Sequence, residues 1–256
     1  MSSKRTYGVA AVLILAACSD SSGPNGGPQR VTLSFSANSQ SSPLARTASF
    51  GSSPSSLTVS GTGGVLVINR VQLVLEELEL ERAGIAGCDG DDDDLCEGEE
   101  LEFGPMLVDF PVNGALATPV SVEIPAGRYT ELEYEIEAPE SGESGVSAFL
   151  AANPGFQGVS IRVEGTFNGE PFIYVTDLEA EVELEFAPPL EIGADASNIT
   201  VNADISRWFL DASGRVIDPN TANRGGTNES LVENNVESSF SAFDDDDRDG
   251  HDDGDD

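Results

Sequence analysis

Ser160-Ile-Arg-Val-Glu-Gly-Thr-Phe-Asn-Gly-Glu-Pro-Phe-Ile-Tyr-Val-Thr176 is the stretch that decides the fold class. Two runs rich in β-branched and aromatic residues flank Asn168-Gly169. Both turn residues tolerate the positive φ of a type I′ turn, whose twist suits paired strands, so the segment reads as a β-hairpin. The texture continues outward on both sides. Leu178–Phe186 and Ile199–Ile205 read as further strands, and residues 228–239 as one short helix. Upstream, Val120-Ser-Val-Glu-Ile124, the turn Pro125-Ala-Gly-Arg128 and Leu132-Glu-Tyr-Glu-Ile-Glu137 read as a second hairpin. Val71, Leu73 and Leu75 alternate, and Leu78 and Leu80 resume after Glu76-Glu77. That break of period predicts a β-bulge. A helix through Val67, Val71, Val74 and Leu78 fits the same residues, so periodicity leaves both conformations open there. The first strand signal is Val31-Thr-Leu-Ser-Phe35, and the Ser-rich residues 38–63 read as loop.

Many short strands, punctuated by 27 Gly and 14 Pro and with no long helices between them, predict an all-β antiparallel sandwich. At 256 residues and 39% hydrophobic, the chain can bury a core. Glu140-Ser-Gly-Glu-Ser-Gly145 is the candidate internal boundary. Similar strands on either side favour one sandwich over residues 30–243.

The first 18 residues carry an address. Lys4 and Arg5 precede the apolar run Gly8–Ala17, which is too short to span a bilayer. The run ends in Leu15-Ala16-Ala17-Cys18, which resembles the lipobox of bacterial lipoproteins. The resemblance implies a signal peptide over residues 1–17, a diacylglycerol on the Cys18 thiol, and a mature chain that begins there. Two or three acyl chains, at about 0.8 kcal/mol per buried methylene, anchor a chain stably. Residues 18–29 then form a flexible Ser/Gly/Pro/Asn tether. Ser19 after the Cys resembles the outer-membrane sorting pattern. Together these readings place the chain in the bacterial envelope, held to the membrane through Cys18 and facing either the periplasm or the surface.

Composition narrows the chemistry. The formal charge is −34, from 46 Asp+Glu against 12 Lys+Arg, which disfavours binding to nucleic acid. The only lysine is Lys4, and the only histidine is His251, near the C-terminus. A Ser-His-Asp or Cys-His site, a lysine Schiff base, a histidine-ligated zinc and a P-loop each require a residue that no core segment supplies. The chain therefore reads as a non-enzyme.

Several constellations remain. Cys88 and Cys96 bracket an Asp-rich loop; left over in an exported chain once Cys18 is lipidated, they are expected to form a disulfide, with a redox or metal-binding thiol pair as the alternative. With Glu97, Glu99 and Glu100, this loop is either a solvated acidic segment or a cation site. In the tail, residues 244–256, Asp245, Asp247, Asp249, Asp253 and Asp256 occupy positions 1, 3, 5, 9 and 12, with Gly250 at 6. That is the spacing of a calcium loop, in which alternate carboxylates wrap one hard cation and Gly allows the turn. The tail is also similar to the thrombospondin type 3 calcium repeats. Asp replaces the bidentate Glu at position 12, so a disordered acidic tail is the other reading. Salt adaptation would equally account for the acids.

Glu131, Glu133, Glu135 and Glu137 lie on one face of a strand, and Glu179, Glu181, Glu183 and Glu185 on one face of another. They read as solvated outer faces, or as the paired carboxylates of a glycoside hydrolase cleft. Like charges opposite one another destabilise a sheet, so the two strands are expected not to be neighbours unless Arg70, Arg128 or Arg162 intervenes. Trp208 reads as core or as a lid on one end of the sandwich, with ligand stacking as the alternative. Finally, the Val65–Glu81 run, Ile124-Pro-Ala-Gly-Arg-Tyr129 and the tether after Cys18 resemble bacterial lipoproteins of the domain-of-unknown-function 4382 type. That resemblance implies a prealbumin- or immunoglobulin-like sandwich over Val31–Pro139 and no activity. Ser36-Ala-Asn-Ser stands where that family tends to carry Asp-Ala-Pro. The function expected is a binding or structural module for an unidentified protein or glycan, with a fimbrillin-like adhesin subunit as the alternative.

Overall fold

A computed structural model describes residues 29–37, 56–83, 100–101, 105–112, 117–192 and 198–245. Among them are twelve strands: β1 (Gln29–Ser36), β2 (Leu57–Gly61), β3 (Gly64–Arg82), β4 (Glu100–Leu101), β5 (Met106–Phe110), β6 (Ala117–Ile124), β7 (Gly127–Ile136), β8 (Ile161–Phe167), β9 (Glu170–Thr176), β10 (Ala180–Ile192), β11 (Asn198–Ala203) and β12 (Phe240–Asp244). Two α-helices, α1 (Val146–Ala152) and α2 (Glu229–Glu237), and three short 3₁₀ turns accompany them. The fold is an all-β sandwich. A four-stranded sheet, ordered β12-β11-β1-β6, packs on an eight-stranded one in which β3 pairs with β2, β4, β5, β7 and β8, β10 adds to β7, and β9 adds to β8. Every pairing is antiparallel except β1 with β11, which is parallel.

β3 is the spine of the large sheet, and it is a strand throughout, which settles its ambiguous periodicity. Val71 pairs with Phe110 of β5 on one edge and Val163 of β8 on the other. Leu75 pairs with Met106 of β5 and Ile136 of β7. β8 and β7 therefore share one edge of β3, one after the other, and the sheet forks between them. The fork falls at the expected bulge. Leu75 faces Ile136 and Leu78 faces Tyr134, so Glu76 and Glu77 oppose the single residue Glu135.

The Asn168-Gly169 hairpin forms as read, with φ of 53° and 87° at its two turn residues. The second expected hairpin does not form. β6 pairs with β1 in the small sheet and β7 with β3 in the large one, so Pro125–Gly127 is a corner between the sheets. The Tyr129 hydroxyl donates to Pro125 O at 2.7 Å, which braces the corner in the manner of the tyrosine corner of Greek-key sandwiches. Arg82 donates to Ala126 O at 2.8 Å and lies 6.0 Å from the Tyr129 ring centre. A Cβ on Gly127 would come within 2.8 Å of the Arg82 guanidinium, so a side chain there would push the guanidinium aside. Shorter segments also depart from expectation: β2 forms within the Ser-rich stretch read as loop, α1 follows Gly145, and β11 stops at Ala203, before a 3₁₀ turn at Ile205–Arg207 and a loop with one bridge, Leu210 to Val216. The helix expected over 228–239 is α2.

One continuous core runs through both sheets, from Val31, Leu33 and Phe35 to Leu132, Tyr134, Val201, Trp208 and Val236. Trp208 is fully buried in this core, and its indole N–H donates to Ser239 Oγ at 2.8 Å.

Candidate functional site

The outer face of the large sheet carries a glutamate ladder. Along β7, Leu132, Tyr134 and Ile136 turn into the core, which leaves Glu131, Glu133 and Glu135 on the outside. β10 buries Ala180 and Val182 and exposes Glu181, Glu183 and Glu185. The two strands are immediate neighbours, with Glu181 opposite Glu135, Glu183 opposite Glu133, and Glu185 opposite Glu131. This overturns the expectation that repulsion keeps them apart. β3 extends the ladder on the other side, with Glu79 opposite Glu133 and Glu81 opposite Glu131. The named arginines do not intervene, because Arg70 pairs with Asp109, Arg128 with Glu191 and Arg162 with Glu164.

Magnitudes explain why the rows meet. The inward partners of the same register are Ala180 with Ile136, Val182 with Tyr134, and Leu184 with Leu132. Burying one large apolar side chain is worth about 1.5–3 kcal/mol, against roughly 0.2–1 kcal/mol for each opposed like-charge pair. Register offers no escape either. A one-residue slip turns the apolar set outward, and a two-residue slip brings glutamate opposite glutamate again.

The crowding shows in the carboxyl groups. Burial, then the hydrogen bond and charge of Glu181, then Glu79 and Glu183, push Glu133 up to about 7. Burial, then Glu183, Glu81 and Glu185, raise Glu131. Burial, followed by Glu179 and Glu135, raises Glu137. Carboxylate oxygens of Glu131, Glu133 and Glu183 lie within 4.8 Å of one another, close enough for one cation to touch all three. At the fork, Glu76 is raised further, to about 8, by burial first and then by Glu143, Glu137 and Glu135. The sequence reading did not join Glu76, Glu79 and Glu81 to the other rows. Their signal was the alternation Glu79-Leu-Glu81 itself, which extends the ladder once β3 is placed beside β7.

Of the residues expected to hold calcium, Asp245 is fully buried at the end of β12. Thr200 Oγ1 donates to its Oδ2 at 2.6 Å, Asn198 Nδ2 donates to its carbonyl at 2.9 Å, and its own N–H donates to Asn198 O. In this arrangement the carboxylate fastens the end of β12 to β11. Asp247, Asp249, Asp253 and Asp256 lie outside the described residues, as do Cys18, Cys88 and Cys96. A separate cleft of about 260 Å³ at one end of the sandwich is lined by Gly63, Asp211, Arg215, Asp218 and Thr221, among others. Both of its aspartates serve their own loops. Asp211 Oδ1 accepts from Ser213 N, Ser213 Oγ and Arg215 N, and bonds from Ser213 and Arg215 hold its carboxyl below the usual range. Asp218 Oδ1 accepts from Asn220 N and Nδ2. No protein-family profile, no curated protein and no solved structure matches this chain.

Proposed function

We propose that the chain is a non-enzymatic lipoprotein of the bacterial envelope, anchored by acyl chains on Cys18, whose sandwich displays a polyanionic sheet face stabilised by cations. The glutamate ladder across β3, β7 and β10 carries this reading. Its carboxylates are opposed in register, and Arg70, Arg128 and Arg162 are engaged with other acids. Mobile cations, calcium among them, relieve that repulsion by gathering in the negative potential. The lipobox supports the anchor, and the Ile124-Pro-Ala-Gly-Arg-Tyr129 corner supports kinship with the envelope lipoproteins named above.

The test is thermal melting of the chain from Cys18→Ser onward, in calcium chloride, in sodium chloride of equal ionic strength, and in chelator. Glu133→Gln/Glu183→Gln is melted alongside. The midpoint is expected to rise in both salts, more in calcium, and to respond less in the double variant. No response of the wild-type midpoint to either salt would remove cations from the account. In cells, labelled palmitate is expected on the full-length chain and absent from Cys18→Ser; an unlabelled wild type would remove the anchor.

A further inference from the structure

A small flap covers the point where the large sheet forks. Residues 139–156, including α1, pack there through their own apolar cluster. In it Phe149 and Phe156 meet Val74, with Leu107, Leu150 and Val159 around them, separate from the main core. The flap's other fastening is polar. Glu76 stands in the bulge, with one carboxyl oxygen out of solvent and without a hydrogen-bond partner among the described residues. Its carboxyl group meets Glu143, in the loop that leads into α1. Glu135 and Glu137 on β7 add like charge, and Glu140 in the flap faces Glu137. β5 brings Met106 and Leu107 opposite Leu75 and Val74, and β8 offers the backbone, Ser160 O accepting from Val74 N at 2.8 Å. None of the described ion pairs includes Glu76. Two carboxyl groups in contact hold together only while a proton lies between them; with both charged, they repel.

We propose that Glu76 and Glu143 form a proton-operated latch, which holds the flap on the fork while the pair shares a proton and frees it, with the sandwich still folded, when the proton leaves. Because Glu76 titrates at about 8, the latch is closed at neutral pH and opens on the alkaline side. A released flap exposes Glu76 and returns it to the ordinary carboxyl range. The opening equilibrium therefore rises by up to tenfold per pH unit below about 8 and levels off above it.

Hydrogen exchange of the whole chain between pH 6 and 9 tests this, with the amides of the β8–β9 hairpin as internal reference for the chemical pH dependence of exchange. Protection of Val146–Ala152 relative to the hairpin is expected to fall by up to tenfold per unit from pH 6 to 8. Glu76→Gln is expected to abolish that fall while keeping the hairpin's protection. In Glu143→Gln, at the exposed side of the pair, the fall should move to lower pH. Relative protection that stays constant in the wild type overturns the latch. So does a dependence that survives Glu76→Gln, or one unmoved in Glu143→Gln. Equal loss of protection in hairpin and flap also overturns it, because the whole sandwich would then be opening.

Discussion

At the scale of single residues, the core holds two tyrosine hydroxyls, those of Tyr134 and Tyr174, that find no hydrogen-bond partner among the described residues, and Tyr134 is the simpler case. Tyr134 is about 1% exposed, and its hydroxyl finds no partner among the described residues. Burial pushes that phenol well above its ordinary titration range, so it stays neutral and its polarity goes unused. Its ring is well placed, edge-on to Phe240 at 6.0 Å between centres. Trp208, equally buried, shows the contrast, since Ser239 accepts from its N–H. A buried hydroxyl without a partner is destabilising by about 1–3 kcal/mol. Tyr134→Phe keeps the ring and removes that penalty, so it is expected to stabilise the fold by about 1 kcal/mol. Urea unfolding followed by Trp208 fluorescence measures it; a loss of stability would mean that the hydroxyl is satisfied after all.

Among the elements, the β7–β10 pair concentrates the molecule's internal conflict, and its outer face is where substitution can relieve it. Glu183 is exposed, opposite Glu133 and beside Glu131. Glu183→Lys replaces repulsion by attraction and is expected to raise stability by about 0.5–1 kcal/mol. It is also expected to draw Glu133 down from about 7 toward the ordinary carboxyl range, which carbon-13 NMR titration would read. Glu170→Lys, at the exposed start of β9, is the control and should change stability little. The ladder also marks how far the sequence could be read. Alternation is local, so it exposed the Glu rows, the bulge at Glu76-Glu77 and the Asn168-Gly169 hairpin. Pairing is decided across the core, where Val182 against Tyr134 outweighs Glu183 against Glu133, and nothing in either strand alone records that comparison. The Pro125 corner misled for the same reason, because a tight turn between two alternating runs does not say whether both runs join one sheet. β2 and α1 are short and supported by packing, on β3 and on Val74 respectively, and so carried little local signal.

Over the whole molecule, the raised carboxyl groups set an uncommon pH dependence. Glu76 at about 8, Glu133 at about 7, and Glu131 and Glu137 above the ordinary value all hold protons more tightly folded than unfolded. The contribution of Glu76 and Glu133 is complete below the unfolded value of 4.5 and is lost as pH rises through 7 to 8, and Glu131 and Glu137 act in the same direction. The melting midpoint is therefore expected to fall by several degrees from pH 5 to pH 8.5. Added sodium chloride should recover more of it at pH 8.5 than at pH 5. Calorimetric melts at the two pH values decide this, and a higher midpoint at pH 8.5 would contradict the ladder's electrostatics. The small sheet has a different consequence, one of timing. Its inner strand β1 lies between β6 and β11, and Ser34 reaches Asn198 across 164 residues of chain. Closing so long a span brings a large loss of chain entropy before any contact compensates, which slows assembly. As synthesis proceeds from the N-terminus, β6 can cover one edge of β1 early. The other edge stays open until β11 emerges, so for most of its synthesis the chain carries an unpaired strand able to join a neighbouring copy.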